Sequence, residues 1–254
     1  MKLASGDSPQ IIDKLDGLAK ENDYTKIFAK VPASERDNFN QRGYVEEAVI
    51  PLFSHGSEDV YFMAKYFSKN RAIDTNHEEI NTILEACKER QKSAKEVELP
   101  DDLTFGICTE SDAPEMALVY QEVFESYPFP IFDPQYLIKT MQSHVIYFGI
   151  WHKGQLAALS SSEMDIESQN AEMTDFATLP QYRGKSLASY LLKHMEVEMK
   201  NRKIITAYTI ARAYSWGMNF TFAGLNYKYG GTLLNNTNIC GRLESMNVWY
   251  KTLP

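Results

Sequence analysis

A short turn between a strand pattern and a helix pattern constrains this chain more than any other segment. Residues 170–178 have the character of a strand, and the turn 181–186 (QYRGKS) leads from them into an amphipathic helix pattern. The first N–H groups of a helix lack partners within it and lie at the positive end of its dipole. Gly184 lets the backbone approach a ligand closely, while Arg183 and Lys185 add positive charge. The turn therefore predicts a site for a phosphate or a similar anion.

Charge and cysteine content narrow the class of function. The 254 residues have a net charge of −8, which disfavours a nucleic-acid surface and mildly favours a cationic substrate. The three cysteines Cys87, Cys108 and Cys240 are widely spaced, without a C-x-x-C pair or a zinc-binding spacing. We therefore expect a reduced, intracellular protein that has no metal site.

Targeting and membrane signals are weak in this sequence. Residues 1–7 lack an apolar core, and the longest apolar run, 145–151, is far shorter than the roughly 20 residues that cross a bilayer. We therefore expect a cytoplasmic protein that binds neither membrane nor nucleic acid.

The predicted elements divide the chain into three regions. Residues 1–68 form a small first domain, 69–100 a charged helical linker, and 101–254 a larger second domain. The first domain is predicted to run helix, strand, helix, strand, strand over 8–22, 26–31, from 34, 45–53 and 59–67. The end of the second domain repeats that order over 186–200, 204–210, 216–223, 227–234 and 244–253. We therefore expect residues 1–68 to be a copy of the C-terminal half of the second domain. The copy lacks the anion loop.

The front half of the second domain is predicted to place a sheet before the loop. Its patterns are a strand at 103–108, helices at 112–126 and 135–143, a hairpin of 144–152 with 155–163, and the strand 170–178. This order of strands and helices predicts an α/β protein with helices packed against a sheet.

The turn and its surroundings resemble the pyrophosphate loop of the GCN5-related N-acetyltransferase (GNAT) superfamily, which has the pattern Q-x-x-G-x-G/A. The resemblance implies an α/β fold of the α+β kind, with a central mixed, mostly antiparallel sheet flanked by helices and a smaller, degenerate GNAT-like N-terminal domain. It also implies acetyl-CoA as co-substrate, with no metal. The cofactor-binding residues that it implies are Phe176, Ala177, Thr178, Gln181, Tyr182, Arg183, Gly184, Lys185, Ser186, Leu187, Ala188 and Asn219.

Longer segments resemble the β-lysine N-acetyltransferase branch of that superfamily: 172–178 (EMTDFAT), 213–219 (AYSWGMN) and 235–251. The resemblance implies transfer of an acetyl group to the side-chain amine of β-lysine, giving Nε-acetyl-β-lysine, a zwitterionic compatible solute. Two alternatives stay open: an acetyltransferase for another small amine or a protein lysine, and a non-catalytic module that binds acetyl-CoA. A homodimer is compatible with the sequence.

Acetyl transfer to an amine needs a group that removes a proton, because an alkyl ammonium has a pKa of roughly 10.4. Glu172 is the first candidate, since the resembling family commonly carries its base glutamate at the matching strand position. Asp175 is the second candidate. Residues three apart in a regular strand point to opposite faces, so both carboxylates can face one site if a bulge lies between them.

The acceptor site is predicted from aromatic, acidic and amide residues near the presumed cleft. The candidate substrate residues are Tyr127, Phe129, Tyr147, Asn236 and Glu244, with Arg212 or Arg242 as a further partner for a substrate carboxylate. The general acid is unassigned, because Phe220 occupies the position where many family members carry a tyrosine. Tyr214, Tyr227 or solvent would then supply the proton.

Overall fold

The computed structural model describes residues 3, 10–91, 97–239 and 241–253. The described strands are β1 Lys26–Pro32, β2 Val45–Ser54, β3 Glu58–Tyr66, β4 Leu103–Ile107, β5 Val145–His152, β6 Gln155–Asp165, β7 Asn170–Thr178, β8 Thr206–Arg212, β9 Lys228–Ile239 and β10 Arg242–Thr252. The described α-helices are α1 Gln10–Glu21, α2 Arg36–Asn40, α3 His77–Gln91, α4 Ala113–Val123, α5 Pro134–Met141, α6 Leu187–Asn201 and α7 Trp216–Gly224. Predictions for residues 1–2, 4–9, 92–96, Cys240 and residue 254 lie outside the described residues.

All ten described strands belong to one sheet, in the order β1-β3-β2-β9-β10-β8-β7-β6-β5-β4. Neighbouring strands pair antiparallel, except that β7 and β8 are parallel. The sheet is therefore mixed and mostly antiparallel, and helices pack on its faces, which confirms the predicted fold class.

The first three strands, β1 to β3, have the same order of elements as the last three, β8 to β10. The run α1, β1, α2, β2, β3 has the same order of elements as α6, β8, α7, β9, β10. In the sheet, β1-β3-β2 is followed by β9-β10-β8, so corresponding strands mirror each other about the β2–β9 junction. The order of elements is compatible with the predicted internal repeat, which stays a prediction.

Backbone pairing at the junction is confined to one residue pair, Ala48 with Gly231. Gly231 has a φ of +145°, and a Cβ there would lie 2.1 Å from the Glu47 carbonyl oxygen, so this close approach requires glycine. Side chains add to the junction beyond that pair. Lys26 Nζ donates to the Leu234 carbonyl at 2.8 Å, and the Leu234 N–H donates to Glu47 at 2.8 Å.

The predicted helical linker, residues 69–100, is not one continuous helix. A 3-10 helix at Lys69–Ala72 precedes α3, and the chain between them is held by Asp74. The Asp74 carboxylate accepts hydrogen bonds from Tyr214, from Ser245 and from the N–H of Asn76. These bonds tie the linker to β10 and to the chain before α7, so the predicted helix is interrupted there.

Two helical layers cover the sheet around the predicted loop. On one face α3, α6 and α7 bury Ile83, Leu191, Met195 and Phe222 against the sheet. On the other face α4 and α5 bury a second cluster that includes Met116, Tyr120 and Leu137. Within the described ranges, no helix is long and apolar enough to span a bilayer.

A cleft opens in the sheet between its two parallel strands. β7 and β8 pair only over Asn170–Glu172 and Thr206–Tyr208. Beyond Glu172 the register ends, so the C-terminal part of β7 has an unpaired edge on that side. Such an edge can hydrogen-bond an extended ligand as a strand would.

Candidate active site

The predicted anion loop lies at the N-terminus of α6, directly after the cleft strand. Gly184 has a φ of +80° and Ser186 a φ of +58°, so the chain turns through two left-handed residues before Leu187. The Ser186 side chain makes no capping hydrogen bond. The N–H groups in the first turn of this fifteen-residue helix are therefore available to an anion.

A cavity of about 560 Å³, called here the loop groove, runs beside this loop. It extends from the unpaired end of β7 past the loop to the start of α7. The predicted cofactor residues that line it are Phe176, Thr178, Tyr182, Arg183, Gly184, Ser186, Leu187 and Ala188.

Other predicted cofactor residues lie beside the groove without lining it. Gln181 and Lys185 are exposed, and the Lys185 ammonium lies 5.6 Å from the centre of the Tyr182 ring. The Ala177 side chain is buried in the core under α4, so only its backbone faces the cleft. A ligand interaction of Ala177 would therefore be a main-chain one.

Asn219 does not fit the prediction that it contacts the cofactor. Its side chain is fully buried, and its amide nitrogen donates to three main-chain carbonyls, including that of Arg212 at 3.0 Å. Its amide oxygen accepts from Asn247 at 2.8 Å and from the Trp249 indole at 2.9 Å. Through these bonds the Asn219 side chain joins the start of α7 to β10. Both its amide nitrogen and its amide oxygen are occupied, so neither is available to a ligand.

Arginines that sequence reasoning did not assign to the cofactor also line the loop groove. Arg90 reaches it from the C-terminal end of α3, and Arg212 from the end of β8. Each is distant in sequence from the loop, and an isolated arginine in a charged helix carries no signal for such a role. The fold brings both to a cavity that already has an uncapped helix N-terminus.

A second cavity, of about 410 Å³, lies next to β7 and is called here the acidic chamber. Its acidic side chains are Glu163, Glu172 and Asp175. The predicted substrate residues Tyr127, Phe129, Tyr147 and Asn236 also line it. The Asn236 amide oxygen is buried and has no hydrogen-bond partner, which leaves an acceptor for a ligand.

The two predicted catalytic carboxylates share this chamber because β7 contains a bulge. The register between β6 and β7 shifts between Leu159 and Ser161, and Asp175 has a left-handed φ of +55°. This bulge turns Asp175 toward the same side of the strand as Glu172. It is the irregularity that we expected if both carboxylates face one site.

Asp175 is held by two hydroxyl groups. Tyr127 donates to one carboxylate oxygen at 2.5 Å and Ser161 donates to the other at 2.5 Å. Burial raises the pKa of Asp175, and the hydrogen bonds from Ser161 and Tyr127 offset only part of that rise. The carboxylate is therefore a stronger base than an exposed aspartate.

Glu172 is held by residues on two other strands. Lys30 on β1 approaches it at 3.5 Å, and the Tyr208 phenol on β8 hydrogen-bonds to it. Lys30 also donates to the Tyr208 oxygen at 2.7 Å. Burial raises the pKa of Glu172, and the Lys30 ammonium lowers it by less.

Glu244 does not lie in the chamber, contrary to its prediction as a substrate residue. Its carboxylate is fully buried and accepts two hydrogen bonds from Arg212 at 2.7 Å and one from Arg242 at 3.0 Å. Neither arginine lines the acidic chamber, so neither fits the predicted role of holding a substrate carboxylate there. Burial alone would raise the pKa of Glu244, but the arginines hold it below its ordinary value.

Comparison with known proteins decides the family. Residues 114–215, which include β7, the loop and α6, match the Acetyltransferase (GNAT) family. The chain is 41% identical to Beta-lysine N(6)-acetyltransferase from Methanococcus maripaludis over 99% of its own length and 90% of that protein. It is 32% identical to the protein of the same name from Methanosarcina mazei, over 96% of this chain and 97% of that protein. The chain belongs to the GNAT acetyltransferase family.

Solved structures agree with this family at the level of the fold. RimL, a ribosomal L7/L12 alpha-N-protein acetyltransferase in complex with coenzyme A, superposes with a TM-score of 0.52 at 12% identity, over 62% of this chain and 97% of that one. The chain is thus an N-acetyltransferase with acetyl-CoA as its donor, as predicted. Among the described residues, no group of histidine, cysteine and acidic side chains could hold a metal ion.

In the GNAT acetyltransferase, neither tyrosine considered for the general acid, Tyr214 or Tyr227, lines the loop groove. Phe220 lines the loop groove. Tyr214 donates to Asp74 at 2.5 Å, and Tyr227 is fully buried in the core beside Glu196. Burial raises the pKa of both phenols, which makes them weaker acids.

Proposed function

We propose that this enzyme acetylates the side-chain amine of β-lysine, giving Nε-acetyl-β-lysine. The observation that carries the proposal is the 41% identity, over nearly the whole chain, to a protein named Beta-lysine N(6)-acetyltransferase. The chamber chemistry supports it. Three carboxylates and aromatic walls surround a volume suited to a small amine, and β-lysine carries two ammonium groups.

The donor would lie in the loop groove. The uncapped N-terminus of α6 and Arg183 face the position of a pyrophosphate, and Arg90 and Arg212 add positive charge along the groove. The pantetheine arm would extend along the unpaired edge of β7, where main-chain groups of Phe176, Ala177 and Thr178 are available. A main-chain N–H there can stabilise the oxyanion of the thioester carbonyl.

We assign proton acceptance to Asp175 and leave Glu172 to bind the acceptor. Asp175 directly precedes Phe176, which lines the loop groove, so it is the chamber carboxylate nearest the thioester along β7. Its raised pKa suits a base that must work near neutral pH. Glu172 lies where β7 still pairs with β8, farther from the open cleft.

The reaction then needs little beyond orientation. The substrate ammonium loses one proton to Asp175, and the free amine nitrogen then forms a bond to the acetyl carbon. The nitrogen loses its second proton to solvent, and the carbon–sulfur bond breaks with its electron pair leaving on sulfur. Solvent supplies the proton to the departing thiolate, since Phe220 has none to give, Tyr214 donates to Asp74 and Tyr227 is buried in the core. A thiol is acidic enough to leave without a strong acid.

The product would lose one positive charge and become net neutral, which suits a solute stored without counterions. We also propose a cytoplasmic enzyme: its donor is an intracellular metabolite, and Cys87 and Cys108 are unpaired. A homodimer stays a prediction.

Thiol release from acetyl-CoA tests the proposed function. The purified enzyme is offered β-lysine, α-lysine, simple diamines and lysine-containing peptides, and free thiol is measured over time. We expect the highest kcat/KM with β-lysine. A higher kcat/KM with a peptide or with another amine would show that β-lysine is not the acceptor. Binding of acetyl-CoA without turnover of any amine would favour the non-catalytic module.

A further inference from the structure

One cation from the N-terminal half of the chain reaches the acidic chamber. Lys30 lies on β1, outside the residues 114–215 that match the GNAT family. Among the described residues that line the chamber, Lys30 is the single lysine or arginine. The described lining of the chamber thus has three carboxylate side chains and one lysine.

The contacts of Lys30 leave part of its ammonium for a ligand. An ammonium has three hydrogens to donate. One is given to the Tyr208 oxygen at 2.7 Å, and the approach to Glu172, at 3.5 Å, is at the outer limit of a hydrogen bond. The side chain is 30% exposed and faces the chamber. A carboxylate placed there would gain a charge-assisted hydrogen bond.

Lys30 and Glu172 form a pair of opposite charges, with 3.5 Å between the Lys30 Nζ and the Glu172 Oε2. The head of β-lysine is also such a pair, because its carboxylate and its β-ammonium lie on either side of one methylene. Antiparallel docking of the two pairs would place the carboxylate on Lys30 and the ammonium on Glu172. Lys30 and Glu172 would then each have a substrate group of opposite sign as a partner, which buried charges require.

β7 presents two carboxylates to the chamber, Glu172 and Asp175, and β-lysine carries two amines. Three residues of strand span about 10 Å at most, and the bulge at Asp175 shortens that distance. The β-carbon and three methylenes separate the two nitrogens of β-lysine, and each nitrogen can donate a hydrogen bond to a carboxylate. With its head on Glu172, the substrate would bring its terminal amine to Asp175, beside the thioester position.

We propose that Lys30 and Glu172 bind the zwitterionic head of the acceptor and so select a β-amino acid over a plain diamine. This inference rests on the proposed function. It gives the N-terminal half of the chain a role in substrate recognition, since β1 supplies one of the two groups. Lys30 is a specificity residue in this arrangement, and Asp175 remains the proton acceptor.

Three acceptors that differ by one group test the inference. β-Lysine is compared with 1,4-diaminopentane, which lacks the carboxylate, and with 6-aminohexanoate, which lacks the β-amine. Loss of one charge-assisted contact is expected to lower kcat/KM on the order of 10-fold to 100-fold, mainly through KM. Wild-type enzyme should therefore prefer β-lysine to both analogues.

The variants should each remove one preference. In Lys30→Met, discrimination between β-lysine and 1,4-diaminopentane should collapse, while discrimination against 6-aminohexanoate persists. Glu172→Gln should show the reverse pattern, and Lys30→Arg should retain most of the wild-type preference. Lys20→Met, an exposed position on α1, is the matched control for loss of one charge in the same half of the chain. Unfolding temperatures check that each variant is folded.

Two results would count against the inference in different ways. If Lys30→Met and Glu172→Gln lower kcat/KM by one common factor for all three acceptors, the pair does not read the head group, and the proposed function stands without it. If wild-type enzyme does not acetylate β-lysine, the proposed function fails and this inference fails with it.

Discussion

The Tyr127 phenol donates a hydrogen bond of 2.5 Å to the carboxylate of Asp175. Tyr127 lies in the segment between α4 and α5, whereas Asp175 lies at the bulge of the cleft strand. The bond joins the aromatic wall of the acidic chamber to the residue that we assign as proton acceptor. It fixes the orientation of a carboxylate whose backbone is already in a left-handed conformation.

Removal of that carboxylate should abolish most of the activity. Asp175→Asn keeps the shape but cannot accept a proton, so kcat should fall by about 10²-fold to 10⁴-fold. Tyr127→Phe removes one hydrogen bond and should have a smaller effect. Burial also raises the pKa of Asp175, so kcat/KM of the wild type should decline as pH falls through a value above that of a free aspartate. If Glu172→Gln rather than Asp175→Asn removes this acidic limb of the pH–rate profile, Glu172 is the base.

The raised pKa of Glu172 should make the fold less stable at high pH. Burial raises this pKa above the unfolded value, so between the two values the folded state binds more protons than the unfolded chain. Its stabilising contribution is complete below the unfolded pKa and is lost as pH rises through the folded one. Glu172→Gln should therefore gain stability relative to wild type at about pH 8 and lose that gain toward about pH 4, as measured by urea unfolding. A difference that does not vary with pH would contradict the raised pKa.

Arg183 should matter for the donor and not for the acceptor. It lines the loop groove next to the uncapped start of α6, with its Nε bonded to the Thr178 carbonyl at 3.2 Å. Arg183→Ala should raise KM for acetyl-CoA by roughly 10-fold or more, through loss of a charge-assisted contact. Arg202→Ala, at the opposite end of the same helix, is the matched control. An equal rise in KM for the amine would place Arg183 elsewhere in the mechanism.

The junction between the two halves should depend on the Lys26–Glu47 ion pair. The nitrogen and oxygen lie 2.8 Å apart, and the side chains are 2% and 4% exposed. Lys26→Met leaves the Glu47 charge buried and unpaired, so the free energy of unfolding should fall by about 3–5 kcal/mol. Chemical denaturation measures the change, with Lys20→Met as the surface control. A loss no larger than that of the control would show that the junction does not rely on this pair.

Local sequence patterns were sufficient for the anion loop and for most elements. A glycine between a strand and an amphipathic helix acts through its own backbone and its immediate neighbours, so no distant residue is needed to recognise it. The order of elements behind the predicted internal repeat was visible for the same reason, since periodicity defines each element separately. The predicted helical linker is interrupted at Asp74. Local sequence could not show this, because the residues that bond to Asp74, Tyr214 and Ser245, lie far along the chain.

Side-chain roles that depend on partners from other strands were harder to predict. Asn219 and Glu244 are polar residues that were predicted to bind ligands. The sequence could not show that Asn247 and Trp249 donate hydrogen bonds to Asn219. Nor could it show that two arginines donate to Glu244. Their burial follows from strand pairing, which no local pattern specifies.

The sequence by itself determined the family, the anion loop and the strand that carries both candidate carboxylates, because these are properties of contiguous residues. The tertiary structure decided which groups surround the acceptor. A bulge aligned Asp175 with Glu172, and the paired halves of the sheet brought Lys30 to Glu172 across 142 residues of sequence. Electrostatic contact depends on distance in space, and only the folded sheet sets that distance.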